Sequence, residues 1–167
     1  ELASIGTQEI FLAGSGEPLL HPQIVQVISL IKKKGLKLNI ITNALLLTKE
    51  ISKLLVDLQV EMITASIWAG GDQSYIRTHP GKESKDFYAI KNNLCFLDQL
   101  KLERKVFFPK VKTYNVICNL NCDDISKMID FSLEAGAQDI EFQLIDTVEG
   151  ETSFLALSSK EIDNVKA

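Results

Sequence analysis

The feature that most constrains this chain is a regular alternation of short apolar runs with stretches in which apolar residues recur at helical spacing. The predicted strands are residues 7–13, 37–41, 61–66, 111–118 and 139–145. An amphipathic stretch follows each of the first four strands, and the pair Ser158 and Glu161 matches a capping box that begins one more helix. Such alternation predicts parallel strands covered by helices. A barrel and an open doubly wound sheet both fit this pattern.

Local signals place the helix ends. Gly35 and Gly136 fit the left-handed position that follows a helix. Thr48 and Asp86 are predicted to cap the N-termini of two helices. The polar stretch 67–85 between the third strand and the Asp86 helix is predicted to be a long loop.

Length and charge limit the classes of protein to consider. The 167 residues predict a single domain, and the net charge of -4 gives no electrostatic reason to expect nucleic acid or an anionic membrane as a partner. No apolar run approaches the roughly 20 residues of a membrane helix, and no signal segment opens the chain, so a cytoplasmic location is predicted. Because the sequence starts at Glu1 rather than Met, we expect it to be part of a longer protein.

Polar residues recur where the predicted strands end. In parallel α/β folds the carboxyl ends of the strands form the ligand site. The first strand ends in two glycines and a glutamate, which fit either a backbone turn around a ligand or a tight turn with a solvated carboxylate. The other strand ends carry small polar side chains, namely Thr42, Asn43, Ser66, Asn119, Asn121 and Gln143. Together they predict a site for a polar ligand, and Trp68, just past a strand end, fits a pocket wall as well as core packing.

Several strings then resemble the radical S-adenosylmethionine (radical SAM) superfamily, in the family's order. IFLAGSGEPLLHP resembles the second strand and its motif, with Ser15 in place of a glycine. NIITNA resembles the third strand, with Ala44 in place of a glycine, and ITASIWAGGDQSYIRTHPG resembles the fourth strand and its loop. VKTYNVICNLNCDDI and IEFQLI resemble the fifth and sixth strands. The resemblance implies an incomplete (β/α) TIM-type barrel over residues 1–167, with about five parallel strands and helices outside.

The resemblance also implies which residues hold a cofactor. Backbone near Ser15 and Gly16, with the Glu17 carboxylate, would bind the methionine ammonium of S-adenosylmethionine. Ser66 and Arg77 would face its carboxylate or ribose. Asn119 would reach the ribose, and backbone around Gln143 would border the adenine. Asn43 completes the predicted cofactor-binding set, and no residue of the chain is predicted to be catalytic or to bind metal.

A 4Fe–4S cluster is implied as the second cofactor, but its usual C-x3-C-x2-C segment does not precede Gly14. Cys118 and Cys122 copy the first spacing, yet position 125 is Ile125, so they are predicted to be core or loop thiols. We therefore expect the cluster cysteines to lie upstream in the intact protein. The isolated chain is predicted to bind no cofactor and to be inactive.

Three functions remain open. In the first, the intact enzyme cleaves S-adenosylmethionine reductively and forms a 5′-deoxyadenosyl radical that abstracts hydrogen from a small-molecule or peptide substrate. In the second, the domain is a non-catalytic scaffold or binding domain without a cluster. The third, an ordinary barrel lyase or aldolase, would need a buried lysine or metal ligands at strand ends, and the sequence indicates neither.

Loss of the first strand would also expose a sheet edge, which predicts self-association.

Overall fold

Five strands and six α-helices alternate along residues 2–14 and 16–166, which the computed structural model describes. The strands are β1 (Glu9–Leu12), β2 (Lys37–Thr42), β3 (Met62–Ser66), β4 (Lys110–Ile117) and β5 (Asp139–Leu144). The helices are α1 (Ile24–Lys33), α2 (Lys49–Asp57), α3 (Asp72–Thr78), α4 (Ser84–Arg104), α5 (Ile125–Glu134) and α6 (Ser159–Lys166). Short 3-10 turns lie at Leu2–Ile5, Pro18–Leu20 and Ser153–Leu155. None of these helices is long and apolar enough to cross a membrane.

The five strands form one parallel sheet in the order in which they occur along the chain. Ile40 in β2, for example, lies between Leu12 in β1 and Ile63 in β3. A doubly wound sheet reverses its strand order at a switch point, whereas a barrel adds each strand beside the previous one. The order therefore confirms the predicted partial barrel, and the doubly wound alternative is wrong.

The hydrophobic core lies between the helices and one face of the sheet. Alternate strand residues such as Leu38, Ile40 and Ile63 are fully buried there, because successive side chains of a strand point to opposite faces. Helices α1, α2 and α4 cover them with a set of equally buried side chains, Ile28, Leu55, Ile90, Leu94 and Leu97. All of these helices contribute to the same core, which is the arrangement of a barrel with its helices outside.

The opposite face of the sheet carries mostly polar side chains, with Phe11 and Ile41 as exposed apolar exceptions. Asn39 donates from Nδ2 to Glu9 Oε1 at 2.7 Å, which joins β2 to β1. Lys112 in β4 forms an ion pair of 2.6 Å with Glu141 in β5. This polar face leads directly to the strand ends at which the sequence predicts a ligand.

Most of the predicted helix ends are confirmed. Thr48 Oγ1 accepts a hydrogen bond from Ile51 N at 3.3 Å, as an N-cap does. Ser158 and Glu161 exchange the hydrogen bonds of a capping box at the start of α6. Gly136 has a φ of 69°, and a side chain there would also collide with Asp98, so only glycine suits this position.

Two predictions for the middle of the chain are wrong. The stretch 67–85 is not one loop, because it contains α3 and the start of α4. Asp86 does not cap α4; Glu83 occupies the N-cap, and Asp86 lies one turn inside, where its carboxylate accepts from the backbone N–H of Glu83 at 3.0 Å. Asp86 does mark the start of a helix, but the N-cap lies three residues earlier, at Glu83.

Candidate functional site

The Glu17 carboxylate lies at the centre of the strand-end region. Glu17 caps the turn Pro18–Leu20, and its Oε1 accepts from Leu19 N at 3.0 Å. The same oxygen accepts from the Thr42 hydroxyl at 2.7 Å, and Oε2 accepts from Asn43 N at 2.8 Å. These bonds turn the half-buried carboxylate inward, toward the end of β2. The alternative of a solvated glutamate after a tight turn is therefore wrong.

A cavity of about 220 Å³ adjoins this carboxylate. It lies across the carboxyl ends of β1, β2 and β3 and is lined by Gly14, Gly16, Glu17, Ile41, Thr42, Asn43 and Ser66. Four residues of the predicted set thus share one cavity: Gly16, Glu17, Asn43 and Ser66. Ser15, the third residue predicted for the turn with Gly16 and Glu17, lies outside the described residues.

Open space lies beside the backbone of Gly16. Its backbone is not in the left-handed conformation, and a Cβ placed there would meet no atom within 4 Å. Neither conformation nor packing by the chain itself thus requires glycine at this position. The open space beside Gly16 faces the cavity that Glu17 lines.

Ala44 occupies a position for which glycine is the expected residue. Its φ of 61° lies in the left-handed region, which glycine adopts most easily. This explains why the family motif that NIITNA resembles ends in glycine. The turn is fixed from two sides: Thr42 Oγ1 accepts from Ala44 N at 3.0 Å, and Asn93 Nδ2 donates to the carbonyls of Ala44 and Leu45. This fixes the backbone that presents Asn43 N to Glu17.

Tyr114, which the sequence analysis did not single out, lies between two predicted cofactor residues. In the register of β3 and β4 it is the direct partner of Ser66, so both side chains point to the same face. Its hydroxyl donates to Gln143 Oε1 on β5. The alternation of Lys112, Tyr114 and Val116 with buried residues of β4 was the signal that could have found it.

Arg77 and Asn119 line a second cavity, of about 400 Å³, with Leu120, Cys122, Asp123 and Glu161. Arg77 Nε donates to the Leu120 carbonyl at 3.0 Å, and its guanidinium lies 3.6 Å from an Asp123 carboxylate oxygen. Asn119 donates from Nδ2 to the Phe154 carbonyl at 2.7 Å. Its Oδ1 is buried and accepts no hydrogen bond from the described residues.

Gln143 lines a third cavity, of about 280 Å³, with Ile117, Ile125, Phe142, Leu144 and Val165. Gly16 and Glu17 also line a fourth cavity, of about 540 Å³, which extends over Leu20, Ile24 and Val27. The described members of the predicted set otherwise divide over three cavities near the strand ends. One holds Gly16, Glu17, Asn43 and Ser66, the second holds Arg77 and Asn119, and the third holds Gln143.

The cysteines do not form a cluster site. Among the described residues, no group of three or more metal-ligating side chains comes together. Cys118 is buried, and burial, with the nearby carboxylates of Glu161 and Asp123, raises the pKa of the Cys122 thiol. Cys95, on α4, is partly exposed and donates to the Glu134 carbonyl at 3.4 Å. The thiols present do not fit a 4Fe–4S cluster, which needs several thiolates in one place.

Asp124 has a role that its position in the sequence concealed. It occupies the N-cap position of α5, but its side chain does not cap that helix. Instead Oδ2 accepts from Gly70 N at 2.8 Å and from the Ser74 hydroxyl, across the gap to α3. Burial alone would raise the pKa of Asp124, but these hydrogen bonds and Lys127 outweigh it and lower the pKa. The carboxylate thus stays charged and joins two segments of the strand-end region.

Comparison with known proteins gives partial relatives. No family model matches the chain. The AdoMet-dependent heme synthase of Methanosarcina barkeri is 30% identical over 156 residues, which cover 92% of this chain and 41% of that protein. The tungsten-containing aldehyde ferredoxin oxidoreductase cofactor-modifying protein of Pyrococcus furiosus is 40% identical over 58 residues, or 35% of this chain and 16% of that protein. The chain thus spans less than half the length of both curated relatives.

Solved structures resemble the chain over nearly its whole length. Streptococcus suis SuiB bound to S-adenosylmethionine superposes with a TM-score of 0.75 at 15% identity, covering 99% of this chain and 36% of SuiB. TYW1 with a lysine-pyruvate adduct gives 0.66 at 20% identity, covering 95% and 48% of the two chains. Native anSMEcpe with bound AdoMet and the Kp18Cys peptide gives 0.65 at 16% identity, covering 95% and 45%. The sequential parallel sheet, its outer helices and these likenesses identify the fold of this chain as that of the radical SAM superfamily.

Proposed function

We propose that this chain, as one barrel segment over residues 1–167, binds the amino-acid end of S-adenosylmethionine beside Glu17. The observation that carries the proposal is the inward-turned carboxylate, which lines a cavity at three strand ends. A carboxylate has about four acceptor positions, and three of them take hydrogen bonds from Leu19, Thr42 and Asn43. The remaining position fits an ammonium donor, and such a charge-assisted hydrogen bond is short and strong.

The other predicted residues are assigned to the rest of the ligand. Backbone at Ser15 and Gly16 would flank the ammonium, and Asn43 and Ser66 border the same cavity. Arg77 and Asn119 would meet the carboxylate and ribose, and Gln143 would border the adenine. Two solved structures with this fold, SuiB and anSMEcpe, contain S-adenosylmethionine, which supports the assignment.

For the whole protein we propose reductive cleavage of S-adenosylmethionine at a 4Fe–4S cluster, with hydrogen abstraction from a substrate. The three cysteines of this sequence do not fit that cluster, so the proposal requires thiolates from outside residues 1–167. A parent gene that encodes C-x3-C-x2-C ahead of this segment is the expected finding. A complete parent without those cysteines would favour the alternative, a non-catalytic binding domain.

The substrate is proposed to be a polar molecule, a peptide or a small molecule. SuiB has been solved with its precursor peptide SuiA, and anSMEcpe with peptides. The sheet face that leads to the cavity carries hydrogen-bonding groups, including the Lys112–Glu141 pair and Tyr114. A polar face of this kind favours ligands that can replace those hydrogen bonds over purely apolar ones.

Isothermal titration calorimetry with S-adenosylmethionine tests the binding proposal. The complete protein, with its cluster reconstituted, should bind, and Glu17→Gln should weaken binding by about tenfold or more, because it removes the charge that meets the ammonium. The matched control is Glu9→Gln, since Glu9 lies on the same sheet face at the amino end of β1 and bonds to Asn39. Equal affinity of wild type and Glu17→Gln, or no binding by the wild type, would refute the proposal.

A further inference from the structure

Trp68 has an unusual backbone conformation close to the cofactor cavity. It follows the end of β3 by two residues, and its φ is 58°. A bulky side chain is strained in this left-handed region and remains there only where surrounding contacts hold it. Asn121 supplies such a contact, because its Nδ2 donates to the Trp68 carbonyl at 2.9 Å.

Asn121 is fully buried, and all of its side chain is engaged. Nδ2 also donates to the Val116 carbonyl at 2.9 Å, and Oδ1 accepts from Cys118 N at 2.8 Å. One amide group therefore connects the end of β4, the loop that follows it (residues 118–124, the β4 loop) and the loop that follows β3 (residues 67–71, the β3 loop). The Trp68 carbonyl is the point at which the β3 loop is held.

Neighbouring contacts hold the same two loops together. Gly70 N donates to Asp124 at 2.8 Å, and Gly70 packs so closely on α5 that a Cβ would lie 2.4 Å from backbone atoms of Lys127 and Met128. Arg77 donates to the Leu120 carbonyl at 3.0 Å. The two loops thus form one connected unit in which Asn121 is the buried member that reaches the strained residue.

The loops connect groups that lie in different cavities. Ser66, in the Glu17 cavity, directly precedes the β3 loop, and Arg77 follows it on α3. Asn119, which lines the second cavity with Arg77, belongs to the β4 loop. A ligand that spans both cavities needs Ser66 and Asn119 at a fixed separation, and that separation depends on how the β3 loop is attached to the β4 loop.

We propose that Asn121 is a positioning residue for the S-adenosylmethionine site: it holds Trp68 in its left-handed conformation and so fixes Ser66 and Arg77 relative to Asn119. Asn121 has no atom left for the ligand, since its amide is buried and fully hydrogen-bonded within the chain. The inference deepens the proposed function and rests on it.

Two substitutions remove different sets of hydrogen bonds from the Asn121 side chain. Asn121→Asp keeps an oxygen that accepts from Cys118 N and loses both donations, whereas Asn121→Ala loses every bond. If holding the Trp68 carbonyl is what matters, both variants should bind S-adenosylmethionine about tenfold more weakly than wild type. Affinity is measured in the complete protein, and the Trp68 emission is measured in the isolated chain, of which Trp68 is the single tryptophan. That fluorescence should shift in both variants and report the released loop directly.

Gln138→Ala is the matched control. Gln138 is also an amide that joins segments, since its Oε1 accepts from Val111 N at 2.9 Å, but it lies at the amino end of β4. Its loss should lower thermal stability and leave both the Trp68 emission and the affinity for S-adenosylmethionine unchanged. Circular dichroism identifies variants that do not fold. If an Asn121 variant does not fold, Asn121→Ser replaces it, and its affinity for S-adenosylmethionine is expected to fall by the same factor.

The outcomes distinguish the inference from the proposed function. If the complete wild-type protein, with its cluster reconstituted, does not bind S-adenosylmethionine, the proposed function falls and this inference with it. If the wild type binds and the folded Asn121 variants bind equally well, or if Asn121→Asp restores wild-type affinity, the positioning role alone is wrong. Weak binding with a Trp68 emission identical to wild type would also overturn it, because the effect would then not pass through Trp68.

Discussion

Two glutamates accept hydrogen bonds from backbone N–H groups at opposite ends of the sheet. They differ in whether a positively charged side chain of the chain pairs with the carboxylate. Glu61, at the amino end, accepts from Leu38 N at 2.8 Å and forms a 2.7 Å ion pair with Lys32. Glu17, at the carboxyl end, accepts only from neutral donors, and no ion pair within the described part of the chain includes it. The negative charge of Glu61 is thus compensated by the chain, whereas that of Glu17 remains available to a cationic ligand.

The Glu61–Lys32 pair makes stability depend on pH. Burial would raise the pKa of Glu61, but the hydrogen bonds from Lys32 and Leu38 N and the lysine charge outweigh it and lower the pKa below 4.5. The stabilisation is therefore fully present above about pH 4.5 and is lost as the pH falls through the folded-state pKa. Near neutral pH, Glu61→Gln should lower the free energy of unfolding by about 1–3 kcal/mol.

Urea denaturation of both proteins across a pH series measures this difference. It should shrink steadily below about pH 4, since the wild-type carboxylate then becomes protonated as well. A difference that stays constant from pH 7 to pH 3 would show that the charge of Glu61 is not the source of the stabilisation.

At the scale of elements, α3 shows how polar contacts replace an apolar pattern. This seven-residue helix has only one fully buried apolar side chain, Tyr75, and its Ser74 is buried because it bonds to Asp124. Gly70 lies just ahead of it, in van der Waals contact with the backbone of α5. The helix is therefore held by hydrogen bonds and by one close approach rather than by a hydrophobic stripe.

Gly70→Ala tests that close approach. The added methyl group would lie 2.4 Å from backbone atoms of Lys127 and Met128, so α5 or the β3 loop must move. We expect a loss of about 1–3 kcal/mol in the free energy of unfolding. Gly71→Ala is the neighbouring comparison: no atom lies within 4 Å of a Cβ there, so it should cost only the weaker N-cap of α3, about 0.5 kcal/mol. Equal effects of the two substitutions in thermal denaturation would contradict the packing at Gly70.

Short-range signals explain what the sequence could predict. Thr48, Gly136 and the Ser158–Glu161 pair act on backbone within a few residues, so their roles follow from local pattern. The contacts of Asn121 with Trp68 and of Asp124 with Gly70 join residues 53 and 54 positions apart. No local pattern encodes such pairs, and α3 was missed because its stabilising partner lies on the distant β4 side.

The candidate site divides in the same way. The convergence of Glu17, Asn43 and Ser66 could be predicted because parallel strands bring their carboxyl ends to one edge. The cavity that each side chain lines could not be predicted, because it depends on the paths of the loops. Arg77, for example, lies beside the β4 loop because it donates a hydrogen bond to the Leu120 carbonyl. Tyr114 escaped notice because only the strand register reveals that it is the partner of Ser66.

At the scale of the whole molecule, the sheet has two edge strands. Within the described residues β1 pairs only with β2, and β5 only with β4. Phe11 on β1 is 62% exposed, and Leu144 on β5 is 49% exposed. Unpaired strands with exposed apolar side chains are sites at which chains pair with one another. We therefore predict that the isolated chain self-associates.

Phe11→Lys should reduce that association, because a charged residue on an edge strand opposes edge-to-edge pairing. Light scattering over a concentration series should show a mass that rises for wild type and rises less for this variant. Leu102→Lys, on the exposed side of α4 at 70% exposure, is the control and should behave like wild type. A monomeric wild type at every concentration would refute the prediction.

The most direct test of the central claim asks whether Glu17 recognises the amino group of S-adenosylmethionine itself. Calorimetry on the complete protein would compare S-adenosylmethionine with an analogue that lacks the α-amino group, each with wild type and with Glu17→Gln. Loss of the amino group should lower the affinity of the wild type about tenfold and that of Glu17→Gln only slightly. The reason is that the ligand change and the substitution remove the same contact. An equal loss in both proteins would show that Glu17 does not hold the ammonium group.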